Sequence, residues 1–407
     1  MNLNKLNKYA QLITEVGANV QKGQTVVINS PVECKEFARL LVEKAYRRGA
    51  AEVIMRWNDE IVMKQFYTYA KKDVLQEVPD YFVAQHQYFI DKTVATISIS
   101  APTPELLKDI EPNKIQVHTK AINQRLDFYR KFLMGNGAQW CIASYPTEEW
   151  ATKVFPGNNS FDKLLDAILI ASRVTEENDP VLEWQEHIKN LAKRNKILND
   201  YNFAYLKFKN ALGTDIKIGL VDGHIWAGGG ETAKNGVVFA PNIPTEEAFT
   251  MPHKAKVNGK VVATKPLNYN GKLIEDFYLI FKDGKVVEYG ARQEKETLKN
   301  LLEVDAGSSS IGELALIPHD SPISNTGILF YNTLFDENAS CHLALGSAYS
   351  MNIKDSEKMT EKEMIAQGFN KSMIHVDFMF GSEDMGIVGI TPEGKEVTVF
   401  KNGNFVF

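Results

Sequence analysis

The sequence predicts an α/β protein: an N-terminal doubly wound parallel α/β domain followed by a mostly antiparallel, β-rich α+β domain. Three observations predict it. Helical and β-branched runs alternate through the first half, and the second half breaks into short strands separated by turn residues. Glycine usage shifts between them, with six of the 27 glycines before residue 185 and 21 after it. Strands alternating with helices call for parallel pairing through crossovers, whereas glycine-rich punctuation marks hairpins. The boundary therefore falls between domains of residues 1–185 and 186–407.

The first twenty residues, MNLNKLNKYAQLITEVGANV, read as an amphipathic helix with Leu3, Leu6, Ala10 and Ile13 at helical spacing, and they lack the apolar segment of an export signal. Thr25-Val26-Val27-Ile28 is a β-branched strand, 35–48 a helix that Gly49 ends, and Val53-Ile54-Met55 the next strand. A long helical stretch to His86 leads to Val94-Ala95-Thr96-Ile97, and Gln139-Trp140-Cys141-Ile142 follows the plain turn Gly135-Asn136-Gly137. No G-x-G-x-x-G or G-K-[ST] loop follows any of these strands, so nothing cradles a nucleotide phosphate and the domain reads as scaffold or interface. Residues 161–198 continue as helix, with Leu164, Leu165, Ile168 and Leu169 forming an apolar stripe. Strands are expected at 203–208, 215–220, 236–239, 256–263, 277–281, 286–288, 395–400 and 404–407. Lys282-Asp283-Gly284-Lys285 and Asn402-Gly403 are the hairpin turns between neighbouring pairs.

Lys and Arg number 46 against 51 Asp and Glu, a net charge of −5, which offers no basic field for nucleic acid. No stretch approaches the roughly 18 apolar residues of a membrane span. Cys34, Cys141 and Cys341 are too few and too scattered for a disulfide framework or a cysteine zinc site, which suits a reducing cytoplasm.

Residues of a metal-binding type gather in the second domain. In Ile374-His375-Val376-Asp377-Phe378-Met379-Phe380 the pattern is a strand, and its period of two turns His375 and Asp377 to one face. The ordinary alternative is a solvated polar face. Glu337 and His342 lie five residues apart in small and apolar sequence, where burial demands a partner for each. Here the alternative is a histidine satisfied by a backbone carbonyl. Tyr349, seven residues further on, is within reach of the same site along a helix or a turn. Glu313 stands between Ser308-Ser309-Ser310-Ile311-Gly312 and an apolar run, a costly place for an unpaired carboxylate. Glu246 and Glu247 follow the Pro-bracketed turn 241–244; in an extended chain they diverge, one toward a metal and one toward water, while the alternative is a capping box with Thr245 as N-cap. Together Glu247, Glu313, Glu337 and Asp377 balance two divalent cations, and His342 and His375 add neutral nitrogens suited to zinc or cobalt. Two such ions activate a shared water, and hydrolysis is its obvious use.

Asn242-Ile243-Pro244-Thr245-Glu246-Glu247, Ser310-Ile311-Gly312-Glu313, Asn338-Ala339-Ser340-Cys341-His342-Leu343-Ala344 with Gly346 and Tyr349, and His375-Val376-Asp377-Phe378-Met379 carry a resemblance. In these segments and their order the chain resembles the thermophilic metalloprotease family, the dinuclear bacterial metallo-aminopeptidases typified by aminopeptidases T and S. The resemblance implies that Glu247, Glu313, Glu337, His342, His375 and Asp377 are the ligands of two divalent ions and that Tyr349 stands beside them. Glu313 is taken as the bridging carboxylate because Gly312 leaves room on both sides. Glu246 is assigned the general base by analogy with other dinuclear aminopeptidases that carry adjacent glutamates. The resemblance also implies zinc, cobalt or manganese as the metal, short peptides as substrates, and a homodimer whose first domain helps wall an internal cavity. The competing readings are a dinuclear metallo-amidase or dipeptidase, and a non-catalytic small-ligand binding protein.

Overall fold

The β-branched run at 25–28 becomes the buried part of β1 (Thr25–Pro31) in a computed structural model that describes residues 3–269 and 272–407. Met1 and Asn2 of the expected first helix lie outside the described residues; the rest is α1 (Leu3–Leu12), extended by a wider turn to Gly17. α2 (Lys35–Arg47) ends at Gly49, whose φ of +96° a side chain rarely tolerates. With β2 (Glu52–Asn58), β3 (Ala95–Ser100) and β4 (Trp140–Ser144), β1 forms a sheet whose pairings are all parallel, in the order β2-β1-β3-β4.

A fifth strand, Asn242–Ile243, joins this sheet parallel to β4. The chain accordingly divides into one compact unit of Met1–Ile188 with Gly230–Pro244, and another of Lys189–Gly229 with Thr245–Phe407. A single boundary after residue 185 does not capture that return. Two expected long helices are also broken. The stretch to His86 splits into Glu60–Tyr69, Lys72–Leu75 and Asp80–Asp91, the last beginning after Pro79, before which helical backbone is disfavoured. The stretch 161–198 splits into Ser160–Ala171 and Pro180–Tyr201, where Asp179 caps the amides of Val181 and Leu182 and Pro180 opens the helix.

The second unit holds an eight-stranded antiparallel sheet in the order Lys285–Gly290, Tyr278–Lys282, Pro252–Val262, Asp215–Leu220, Tyr205–Lys209, Gly386–Ile390, Glu396–Lys401, Asn404–Phe405. Both hairpin turns are as expected, with Asp283, Gly284, Asn402 and Gly403 all at positive φ. A four-stranded antiparallel sheet, β5 (Ala248–Thr250), β6 (Ile311–Leu316), β7 (His342–Gly346) and β8 (His375–Met379), pairs in chain order.

Alternation divides this smaller sheet into two chemically opposite faces. Ala248, Leu314, Leu316, Leu343, Leu345 and Phe378 join one core with Leu206, Ile218, Val257, Leu279 and Ile387 of the larger sheet. Cα partners across strands share a face, so Glu313, Ala344 and Asp377 form one row on the opposite side, and Phe249, Ala315, His342 and Met379 form the next. A bulge between Ile311 and Glu313 sets this phase: it lets Ile311 enter the core and Glu313, two residues on, face away from it. Gly312 makes the bulge possible, because a Cβ there would sit 2.4 Å from the Gly346 carbonyl oxygen.

Candidate metal centre

Glu313 is the meeting point of two groups of donor atoms, Glu247–Glu313–His342 and Glu313–His375–Asp377, each with its ligand atoms within 4.8 Å of one another. Its two oxygens serve different imidazoles: Oε1 lies 3.3 Å from His342 Nε2, and Oε2 lies 3.5 Å from His375 Nε2. Glu247 Oε2 is 3.7 Å from His342 Nε2, and Asp377 Oδ1 is 3.4 Å from His375 Nε2. No helix follows Thr245; the chain runs extended into β5, so the capping-box alternative for the Glu246-Glu247 pair fails.

Each imidazole is oriented from behind. His342 Nδ1 lies 2.8 Å from the Glu337 carbonyl oxygen and His375 Nδ1 lies 2.7 Å from that of Ser347. A carbonyl only accepts, so Nδ1 carries a hydrogen, and each Nε2 faces the carboxylates as the nitrogen that would hold a metal once its proton leaves. The backbone-carbonyl alternative for His342 is thus half true, and it is what aims the other nitrogen. Space in front comes from Ala344 and Ala315, which share the face with the acids and the imidazoles.

The electrostatics call for a cation. Burial, then the Glu313 charge, pushes the Glu247 carboxyl up to about 8. Burial and the charges of Asp377 and Glu247 hold Glu337 well above the ordinary range. Burial alone would lower both histidines, but Glu313 and Asp377 outweigh it and lift His342 to about 10 and His375 to about 9. Burial also works against the Asp377 anion, yet its contact with His375 draws it below its ordinary value. Asp377 Oδ1 is buried without a hydrogen bond. Four acids, Glu247 and Glu313 buried and Glu337 and Asp377 half-buried, that compete for two imidazoles fit divalent cations held by oxygen and nitrogen donors.

The other expected residues take different places. Glu337 lies in the turn Glu337–Ala339, outside both donor groups but close enough for its charge to act on Glu247, Glu313 and Asp377. Tyr349 stands on the turn after β7, neither two helical turns from His342 nor on a strand, and its ring packs 4.6 Å from the His375 ring between centroids. Burial and the surrounding carboxylates keep its phenol protonated. Glu246 is 2% exposed and its amide donates to Asn338 Oδ1 at 2.9 Å, while Asn338 Nδ2 donates to the Leu334 carbonyl. Asn338 and Ser347 support the site and were not singled out from sequence. Asn338 opens one of the segments that carry the family resemblance, which was the sequence's sign of it; nothing in the sequence announces a supporting carbonyl.

Fold and site together define a metalloprotein whose acids and imidazoles converge on one buried face. The chain matches the thermophilic metalloprotease (M29) family over residues 2–405 and belongs to it. It is 44% identical to "Aminopeptidase 2" of Geobacillus stearothermophilus, over 99% of this chain and 98% of that one. The solved structure of wild-type AmpT from Thermus thermophilus superposes with a TM-score of 0.93 at 34% identity, covering 100% of both chains. A 2,5-dihydroxypyridine dioxygenase from Pseudomonas putida KT2440 shares the fold alone, with a TM-score of 0.54 at 12% identity over 99% of this chain and 96% of that one. No helix among the described residues is long and apolar enough to cross a membrane.

Cation binding should be steeply pH-dependent. Protons on Glu247, His342 and His375 must leave before an ion enters, and their raised values mean that protons compete below about 8, 10 and 9 respectively. Affinity for zinc or cobalt, measured by competition with a chromophoric chelator, is expected to fall at least about tenfold per pH unit from about pH 8 to about pH 6. A flat profile would mean that these groups do not bind the ion.

Proposed function

We propose that the protein is a metal-dependent aminopeptidase that removes the N-terminal residue of short peptides, with two divalent ions held by Glu247, Glu313, Glu337, His342, His375 and Asp377. The observation that carries this reading is Glu313, common to both donor groups and with an oxygen toward each imidazole. We assign it as the carboxylate shared by the two ions. Divalent ions in such a site supply a Lewis acid for the scissile carbonyl and a water acidic enough to attack near neutral pH.

The chain's own groups complete the chemistry. Glu246 accepts the proton of the attacking water and returns it to the amine nitrogen as the C–N bond breaks. Its amide is tied to Asn338, which fixes the backbone from which both Glu246 and Glu247 diverge. Tyr349, kept protonated by burial and by the neighbouring acids, donates its hydroxyl hydrogen to the carbonyl oxygen as negative charge develops there. Such a donor is worth roughly 10²-fold in rate. Zinc, cobalt and manganese all suit the mixed oxygen and nitrogen donor set. The same reading takes in a homodimer and a cytoplasmic setting, the latter supported by three buried cysteines that are all free.

With added zinc, cobalt or manganese the purified protein should cleave amino-acyl anilides and leave N-blocked anilides intact; equal turnover of both would refute exopeptidase action. Glu246→Gln should retain its ions while kcat drops about 10²-fold or more, and loss of ions on that substitution would make Glu246 a ligand instead.

Asn338→Ala separates positioning from ligation. It strands the Glu246 amide, which is expected to lower stability by about 1–3 kcal/mol in urea titration. It should also lower kcat at least about tenfold with metal content unchanged. Full activity in the variant would remove Asn338 from the account.

A further inference from the structure

The row of residues that carries His342 also carries an aromatic ring. Phe249 of β5 is the Cα partner of Ala315, and Ala315 is that of His342, so the three share the ligand face while Ala248 lies in the core. Two residues of extended chain, about 7 Å, separate Phe249 from Glu247. Its ring stands edge-on to that of Tyr349, 6.3 Å between centroids and 76° between planes, and the Tyr349 ring lies 4.6 Å from that of His375. Phe249, Tyr349 and His375 are all half-buried, so each keeps surface that a ligand can touch. Phe249 is flanked in its row by two small side chains, Ala315 on β6 and, across a bridge on the other edge, Ala227. Its backbone is held on both sides. Phe249 and Ala227 exchange two amide–carbonyl bonds of 2.9 Å, and buried Asn352, on the turn after Tyr349, donates Nδ2 to the Phe249 carbonyl at 3.4 Å.

An apolar ring held half-exposed beside polar groups gains free energy when an apolar group covers it. Resting on the aminopeptidase reading above, we propose that Phe249 and the Tyr349 ring form the subsite for the side chain of the substrate's N-terminal residue, and that this side chain is apolar and at least as large as leucine's. The connectivity of the substrate agrees. In that reading the Tyr349 hydroxyl donates to the scissile carbonyl oxygen, and the α-carbon is bonded to the carbonyl carbon. The N-terminal side chain therefore starts beside the Tyr349 ring, and Phe249 is the next surface along the face. An alanyl methyl is too short to cover that ring, whereas a leucyl side chain reaches it. Met251, two residues beyond Phe249, and Ala348, next to Tyr349, belong to one small apolar cluster, so both rings rest on apolar ground. A charged side chain finds no counter-ion among these rings and alanines, because the neighbouring acids are engaged with the imidazoles.

The test measures kcat/KM of the full-length, cobalt-loaded protein on leucyl, alanyl and lysyl p-nitroanilides. Wild type should favour leucyl over both of the others by about tenfold or more. Phe249→Ala should bring the leucyl-to-alanyl ratio to within about threefold of unity with cobalt content unchanged, and Phe249→Leu should keep most of the preference. Phe249→Asp should raise the lysyl-to-leucyl ratio about tenfold or more, a gain that a merely loosened fold does not produce. Ala227→Leu crowds the same space from the other edge and should also lower the leucyl-to-alanyl ratio, so it carries the test if Phe249→Ala does not fold. The absence of a leucyl preference in wild type, or a preference that survives Phe249→Ala or its substitute Ala227→Leu, overturns the subsite. If no anilide is turned over, calorimetric titration with leucinamide and alaninamide decides: tighter binding of leucinamide, lost in Phe249→Ala, keeps the subsite and sinks the aminopeptidase reading, whereas equal or absent binding sinks the subsite.

Discussion

Glu313 turns one carboxylate oxygen toward His342 and the other toward His375, and it does so from a strand whose neighbouring Leu314 lies in the hydrophobic core. The rest of the site depends on that placement. A carboxylate is tolerated among buried leucines only if its charge is met, and the bulge at Ile311–Glu313 decides which side it meets that charge on. Without the bulge, the alternation of β6 would put Glu313 on the face that Ile311 occupies. The two donor groups would then lose their common member.

The sheet explains why the ligands can be far apart in sequence and still converge. β6, β7 and β8 each contribute residues to one face, and Ala315, Ala344 and Gly346 stand among them as small residues that keep the face open. The opposite face is leucine and phenylalanine packed on the larger sheet, a rigid support for groups that must hold their geometry. Fold alone does not decide the chemistry built on it: a dioxygenase shares this architecture at 12% identity. The family relation and the donor set carry the functional reading.

Much of this was legible in the sequence where a local rule operates. The period of two placed His375 and Asp377 on one face, and paired turn residues located both hairpins. Legibility stopped where a long-range contact decides. Gly312 was read as room for two ions, but its lack of a side chain answers the close approach of the Gly346 carbonyl, and the room comes from Ala344 and Ala315. The two-residue strand Asn242–Ile243 has no periodicity to detect, yet it returns the chain to the first sheet. Long helical patterns hid breaks at Pro79 and Pro180, where the residue before proline resists helix. Asn338 acts through a hydrogen bond to a residue 92 positions away, which no spacing rule reveals.

Anomalous scattering at the metal absorption edge, from crystals of the zinc- or cobalt-loaded protein, tests the central claim most directly. The account predicts two peaks per chain, roughly 3.5–4 Å apart, with one oxygen of Glu313 on each, His342 on one and His375 on the other. A single peak, or two peaks with Glu313 bound to only one of them, would contradict it.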